Sequence, residues 1–363
     1  MEETTLRFHY KLYIDTKRFT ALWAFSEAVF GGMLAILKVP FSGMLLSGAA
    51  TVFISLIGRY SENKSEILRS TLLVILVKAV VSPYSSLSSY FAVALQGLMG
   101  YVFFKYIKNI KLSSILLGFF SETFSAVQRV LVLTILFGVT FWEAIDSFTH
   151  FIFNQIGVEK YFYPFSLSIF SIMLYISIHM IAGIYVGSKV VKIPEWIENR
   201  TDLVYPLYSS FYYKMDAFKL NLKNKKKKRW WKKPSGIVII IFSIVYMILS
   251  FYSKELGPYK AIEILMMLIR SVLITFIWFV FVSPFIERRL NKFLEKNKFD
   301  HAPEINKIIV LFPSIKRLIN YTWFMSQGYL GVFRLVKFFS DTIALLLSAE
   351  IDEEQDLYHN WIE

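Results

Sequence analysis

Long apolar segments alternate with short polar segments along most of the chain. Eight of them are interpreted as spans, by comparison with the roughly 18 apolar residues that suggest a bilayer helix. The segments are continuous rather than alternating in polarity, which favours helices over a membrane β-barrel. The pattern therefore predicts an all-α, polytopic integral membrane helix bundle. Its predicted transmembrane helices cover residues 20–37, 42–58, 70–83, 87–104, 112–140, 164–187, 236–252 and 261–285.

Basic residues between the spans predict the orientation. Lysine and arginine are concentrated in the cytoplasmic loops of membrane proteins. They precede the first span and occur between spans two and three, between spans four and five, and after span six, for example at Arg7, Arg59, Lys105 and Lys189. All these segments lie on one side if the N-terminus is cytoplasmic. We therefore expect a multi-pass protein of the cell inner (cytoplasmic) membrane with both termini in the cytoplasm.

The region after the sixth span differs in character. Residues 193–233 are polar and end in a run rich in lysine that contains Trp230 and Trp231. This run is typical of an anchor at lipid headgroups, and an RNA-binding patch is the alternative. The anchor is favoured because a predicted span begins just after Pro234. We therefore expect the lipid bilayer as a partner, and no nucleic acid.

Apolar residues recur at helical spacing in the C-terminal part of the chain. Residues 303–328 form one such segment and residues 329–350 form the next. The pattern predicts long cytoplasmic amphipathic helices that lie on the membrane or contact a partner. The chain thus divides into residues 1–192, a basic cytoplasmic linker over 193–233, and residues 234–363.

Composition narrows the class of protein. Of the 363 residues, 55% are hydrophobic and 18% are charged, against about 25% charged in soluble domains. An ordinary soluble globular protein and a disordered chain are thereby excluded. The absence of cysteine excludes disulfides, thiolate metal sites and cysteine nucleophiles. The net charge of +13 fits basic loops that face anionic lipid.

Sequence motifs for catalysis are absent. The chain contains no G-x-x-x-x-G-K-[ST], no H-E-x-x-H and no G-x-S-x-G sequence, so it lacks the signatures of a P-loop, a zincin helix and a nucleophile elbow. None of the five histidines pair at ligand spacing. We therefore expect a transport-type protein that is not an enzyme and has no ATPase site, metal or cofactor of its own.

Polar side chains at membrane depth are costly unless they are paired or functional. Together with aromatic residues near the predicted outer rim, they are the candidate solute-binding residues. The alternatives are an ion pair of Glu122 with Arg129 or Lys78, a packing role for His179, and an interfacial belt for the aromatic residues. The candidates are Lys78, Tyr84, Tyr90, Gln96, Glu122, Arg129, Trp142 and His179.

Small residues recur every four positions in the first span, at Ala24, Ala28 and Gly32. A face of this kind lets another helix approach closely. The alternative is packing inside the bundle.

Six spans within about 190 residues, with this face on the first, resemble the substrate-binding S components of energy-coupling factor (ECF) vitamin transporters. Residues 68–83 look like the third-helix region of one subgroup, and residues 92–100 look like the helix that follows. Gln96 stands where an acidic residue is expected. The resemblance implies that Ala24, Ala28 and Gly32 dock against a transmembrane T component.

The C-terminal part resembles the T component of the same transporters, with two spans and coupling helices that sit on ABC ATPases. Residues 303–328 look like one coupling helix and residues 329–350 like the next segment. The short Ala-Arg-Gly-type motif of that family is replaced by Ser326-Gln327-Gly328. The resemblance implies that this segment and Arg317 contact the ATPases.

The resemblance implies a membrane subunit that binds a small vitamin-like or metabolite solute from outside and couples to separate ABC-type ATPase subunits. A membrane scaffold or assembly factor that kept this fold without transport is the second hypothesis. An integral membrane enzyme acting on lipid is the third, and it requires a convergent acid–base or metal site.

Overall fold

The computed structural model describes residues 16–37, 41–82, 85, 87–158, 165–197, 200, 258–277 and 301–348, with a few positions between 284 and 295. All regular structure in these ranges is helical. The helices are α1 (Thr16–Phe25), a π-helical turn (Ser26–Phe30), α2 (Gly31–Leu37), α3 (Ser42–Tyr60), α4 (Ser65–Val81), α5 (Leu87–Tyr106), α6 (Ile110–Phe137), α7 (Thr140–Gln155), α8 (Leu167–Val190), α9 (Pro258–Ile277), α10 (Ala302–Met325) and α11 (Gly331–Ser348).

Three of the helices, α3, α6 and α8, are long enough and apolar enough to cross a membrane. This finding is consistent with a membrane protein, and the all-helical class is confirmed for the described residues. The larger number of eight spans stays a prediction, as do the membrane concerned and the orientation of the termini. The predicted span 236–252 lies outside the described residues.

The first predicted span, 20–37, is helical from Thr16 to Leu37, but it contains the π-helical turn Ser26–Phe30. The wider turn makes i→i+5 hydrogen bonds and changes the helical phase, and such turns occur frequently at functional sites. Glu27 lies in this turn and is buried. Apolar periodicity gives no signal for such a turn, so the sequence analysis missed it.

The connection between the predicted spans 112–140 and 164–187, which we expected to be a loop, contains a helix instead. Helix α6 ends at Phe137 and is followed by Gly138, which has a φ of 78° in the left-handed region that favours glycine. Helix α7 then begins at Thr140. Apolar residues at 141, 145 and 152 of α7 follow a helical spacing that the acidic residues between them obscured.

The two amphipathic helices predicted near the C-terminus are observed as α10 and α11. Helix α10 buries Ile308, Ile315 and Leu318 along one face. The hydroxyls of Thr322 in α10 and Thr342 in α11 are joined by a hydrogen bond of 2.6 Å. The two helices therefore pack against each other.

The chain forms two compact units. Of the described residues, the first unit holds α1 to α5, α6 up to Ala126, α8 from Ile178, and the pair α10–α11. Its core includes the fully buried side chains of Trp23, Ile54 and Leu117. The second unit holds the rest of α6 and α8, together with α7 and α9.

Candidate functional site

Glu122 of α6 and His179 of α8 form a buried polar pair in the first unit. The distance from Glu122 Oε2 to His179 Nδ1 is 2.9 Å, and both side chains are almost completely inaccessible to solvent. Each residue lies on a helix that is apolar enough to span a membrane. An ionisable residue at such a position is a functional-site candidate by default. The pair can offer a bound solute both a hydrogen-bond donor and an acceptor.

Glycines bring α6 and α8 close enough for this pair to form. A Cβ atom on Gly118 would lie 2.2 Å from the carbonyl oxygen of Gly183, and one on Gly187 would lie 2.3 Å from that of Ser114. Backbone therefore meets backbone, which only glycine permits. Gly118 precedes Glu122 by one helical turn, and Gly183 follows His179 by one turn. The glycine contact therefore aligns Glu122 with His179 along the axes of the two helices.

Helix α3 covers the pair. A Cβ atom on Gly48 would lie 3.5 Å from Glu122 Oε1. The Ser47 hydroxyl faces the same carboxyl group, but within the described residues neither this hydroxyl nor Oε1 completes a hydrogen bond. The ring of Phe41 lies 6.1 Å from that of His179. The Ser47 hydroxyl oxygen and Glu122 Oε1 are thus two buried oxygens to which a small polar group of a solute can hydrogen-bond.

A second buried pair joins the π-helical turn to α4. Lys78 Nζ donates to Glu27 Oε2 over 2.7 Å, and the two side chains are 4% and 5% exposed. The ring of Tyr90, also buried, lies 5.9 Å from the Lys78 ammonium. Burial of either charge alone would be costly, so each neutralises the other.

The structure corrects one prediction about pairing. Glu122 pairs with His179 rather than with Arg129 or Lys78, because the glycine contact sets α6 against α8 at this level. The partner of Lys78 is Glu27. Arg129 is exposed.

The remaining candidates are not members of these two pairs. Gln96 is buried on α5, and its Oε1 has no hydrogen-bond partner among the described residues. Trp142 belongs to the second unit, where its indole donates to the Thr134 hydroxyl over 2.9 Å. Tyr84 lies outside the described residues. A solute-binding role for all these residues stays a prediction.

The small-residue face of the first helix is buried inside the first unit. Ala24 and Ala28 are 0% and 4% exposed, and Gly32 is half-buried. Helix α10 packs against α1 and α4, and α11 packs against α1. The rings of Phe25 and Phe312 meet edge to face, with centroids 5.1 Å apart. The helices that cover α1 thus include two from the C-terminal part of the same chain.

Two arginines fasten the C-terminal helices to the N-terminal ones. Arg18 of α1 donates from Nε to the carbonyl oxygen of Leu346 over 2.9 Å, which satisfies a carbonyl at the end of α11. Arg69 of α4 pairs with Glu304 in the first turn of α10. Both contacts lie within the first two turns of α1 and α4, so the attachment is at the N-terminal end of each helix.

The residues predicted to contact ATPases are only partly accessible. Gln327 and Gly328 are exposed, whereas Ser326 is buried. Arg317 is half-buried and donates to the Ser314 hydroxyl over 3.1 Å. Contact with an ATPase stays a prediction.

Asp146 is an ordered polar residue in the connection between the predicted spans 112–140 and 164–187, and nothing in its sequence context singled it out. In the second unit its carboxylate accepts hydrogen bonds from the Ser168 backbone N–H (2.8 Å), the Ser168 hydroxyl (2.7 Å) and the Ser166 hydroxyl (2.8 Å). Burial raises the pKa of Asp146, but these bonds stabilise the charged form more strongly, so the pKa is lowered. Asp146 thereby holds the start of α8.

No protein-family model, curated protein or solved structure matches this chain.

Proposed function

We propose that the chain is the membrane subunit of an ECF-like ABC importer, which binds a small vitamin-like or metabolite solute from outside and couples to separate ATPases. The observation that supports this most is the docking of α10 and α11 onto α1 and α4 within one compact unit. An importer driven by separate ATPases needs such contacts to carry a conformational change to its solute site.

The proposed solute site consists of buried polar groups within an apolar helical bundle. Glu122 and His179 supply one polar pair, and Lys78 with Glu27, beside the ring of Tyr90, supplies another. Pockets for small molecules have this character, with a few polar groups among many apolar ones. A solute with both donors and acceptors would exchange hydrogen bonds with the first pair.

Helix α4 supplies the connection between the docked helices and this site. Arg69, near its start, holds Glu304 of α10, and Lys78 lies nine residues further along the same helix. At 1.5 Å per residue the two positions are about 14 Å apart. A movement of α10 would therefore displace Lys78 and its partner Glu27 through one rigid element.

A membrane scaffold without transport is the second candidate. One observation favours it, namely that the Lys78 charge is already neutralised by Glu27 within the chain. Ser326-Gln327-Gly328 lacks the arginine of the family's motif, and this difference also favours the scaffold.

Purification from the native host in mild detergent, followed by mass spectrometry of proteins and small molecules that co-purify, tests the proposal. A pair of ABC ATPases and a retained metabolite are expected. A preparation that contains neither, or only an unrelated membrane protein, would overturn the importer in favour of the scaffold.

Substitution of Ala28 tests the docking itself. Ala28 is buried in the π-helical turn that continues α1, so Ala28→Leu should displace the helices packed on this segment and reduce recovery of the ATPases, while solute binding is retained. Gly32→Ala is the matched mild substitution on the same face, because among the described residues its added Cβ would meet only the Ser82 hydroxyl, at 3.8 Å. Equal recovery of ATPases with both variants would remove Ala28 from the coupling path.

A further inference from the structure

A surface cavity of about 580 Å³ lies where α3, α4 and α5 end or begin. It is lined by residues of the α3–α4 connection and of the last two turns of α5. All six lining side chains are polar or charged, and two of them are lysines. The lining residues are Glu62, Asn63, Lys64, Ser65, Tyr101 and Lys105.

Both lysine ammonium groups are held in place by protein contacts. Lys64 Nζ donates to the carbonyl oxygens of Gly58 (2.8 Å) and Ser61 (2.7 Å) at the end of α3. Lys105 Nζ donates to the Tyr101 hydroxyl over 2.7 Å and lies 4.9 Å from the centre of that ring. An ammonium group has three N–H donors. Each lysine can therefore donate to an anion without losing the contacts that position it.

An exposed apolar face of α5 leads directly to this cavity. Phe91, Leu98 and Val102 are 58%, 51% and 40% exposed, and Lys105 follows at helical spacing on the same face. The rise from Phe91 to Lys105 is about 21 Å, which exceeds the roughly 15 Å of hydrocarbon in one leaflet. One acyl chain could lie along this face over the full depth of a leaflet.

We propose that the cavity binds the phosphate group of an anionic phospholipid, with an acyl chain along Phe91, Leu98 and Val102. Two ammonium groups against the one carboxylate of Glu62 leave the cavity with a net positive charge, which favours an anionic lipid over a zwitterionic one. A soluble phosphate shares the headgroup chemistry. The apolar face beside Lys105 favours the lipid, because an acyl chain gains by contact with apolar side chains and a soluble anion does not. The proposal is independent of transport.

Titration of the purified full-length chain in detergent, read by native mass spectrometry, tests the site. The probes are phosphatidylglycerol and phosphatidylcholine with the same acyl chains. The parent protein should bind phosphatidylglycerol more tightly. Lys105→Gln should weaken that binding about tenfold, the loss expected for one charge-assisted hydrogen bond.

Lys189→Gln is the matched control. Lys189 also lies near a tyrosine ring, 5.4 Å from the centre of Tyr185, but it is outside the cavity. Its removal should leave lipid binding unchanged. Glu62→Gln should strengthen binding, because a repulsive carboxylate is removed. A gain of affinity of this kind cannot come from misfolding.

Two results would overturn the proposal. An equal loss of binding with Lys105→Gln and Lys189→Gln would show a general effect of charge. Displacement of the lipid by inorganic phosphate at similar concentration, with no effect of Leu98→Gln, would assign the cavity to a soluble anion. Weaker lipid binding by Leu98→Gln, with phosphate binding unchanged, is the result expected for a lipid site.

Discussion

Gly183 is the position where a single added methyl group should separate α6 from α8. The Cβ atom of Gly183→Ala would lie 2.3 Å from the carbonyl oxygen of Gly118 and 2.6 Å from its carbonyl carbon. A carbon–oxygen contact needs about 3.3 Å. The obstacle is backbone, which cannot rotate away as a side chain can. The two helices must therefore move apart by about 1 Å.

This movement would break the buried polar pair one turn away. The Glu122–His179 distance of 2.9 Å would lengthen to roughly 3.9 Å, which is outside the range of a hydrogen bond. Overpacking costs about 1–3 kcal/mol, and a hydrogen bond between membrane helices contributes about 0.6–2 kcal/mol. Alanine is favoured over glycine within a helix by about 0.5–1 kcal/mol, which offsets part of this cost. We expect Gly183→Ala to lower the free energy of unfolding by about 1–4 kcal/mol.

The measurement is the unfolding of the purified protein in detergent micelles, monitored by circular dichroism. Gly48→Ala is the matched control, since its Cβ would meet Glu122 Oε1 at an ordinary 3.5 Å. Alanine within a helix is favoured over glycine by about 0.5–1 kcal/mol, so this variant should be as stable as the parent or slightly more stable. Equal stability of Gly183→Ala and the parent, or an equal loss in both variants, would refute the reasoning.

Three further predictions follow from the charged residues. Lys78→Met should destabilise the chain by about 3–5 kcal/mol because it leaves Glu27 buried and unpaired, and addition of Glu27→Gln should restore most of the loss; equal stability of the single and double variants would contradict this. Because hydrogen bonds from Ser168 lower the pKa of Asp146, the carboxylate should contribute stability above its ordinary pKa of about 4 and lose it as the pH falls through the lower folded value. The melting temperature of Asp146→Asn should therefore depend less on pH in this acid range than that of the parent. Arg129→Ala should weaken solute affinity if this exposed residue lines the solute site, and an unchanged affinity would remove it from that site.

The helical segments follow from local sequence. An apolar run of span length, or an apolar residue at every third or fourth position, constrains a helix without reference to distant residues. The segments 42–58, 303–328 and 329–350 were predictable on this basis. Helix α7 was not, because its acidic and apolar residues resemble those of a polar loop with aromatic anchors.

The polar residues at depth were also predictable one by one, because the sequence places Glu122, His179, Lys78 and Gln96 within apolar runs, and all four are buried. Their partners were not. Glu122 and His179 are separated by 57 positions, and their alignment depends on backbone contact between Gly118 and Gly183. That contact exists only when two helices pack.

The π-helical turn shows the same division between local and tertiary information. The sequence places Glu27 within an apolar segment, which makes it costly to bury alone. Its burial depends on Lys78, 51 positions further along the chain. By itself the sequence determined which segments are helical and which charges lie among apolar residues, because both depend on near neighbours. Only the packed structure decided which charge meets which, because the register between helices is set by contacts between distant residues.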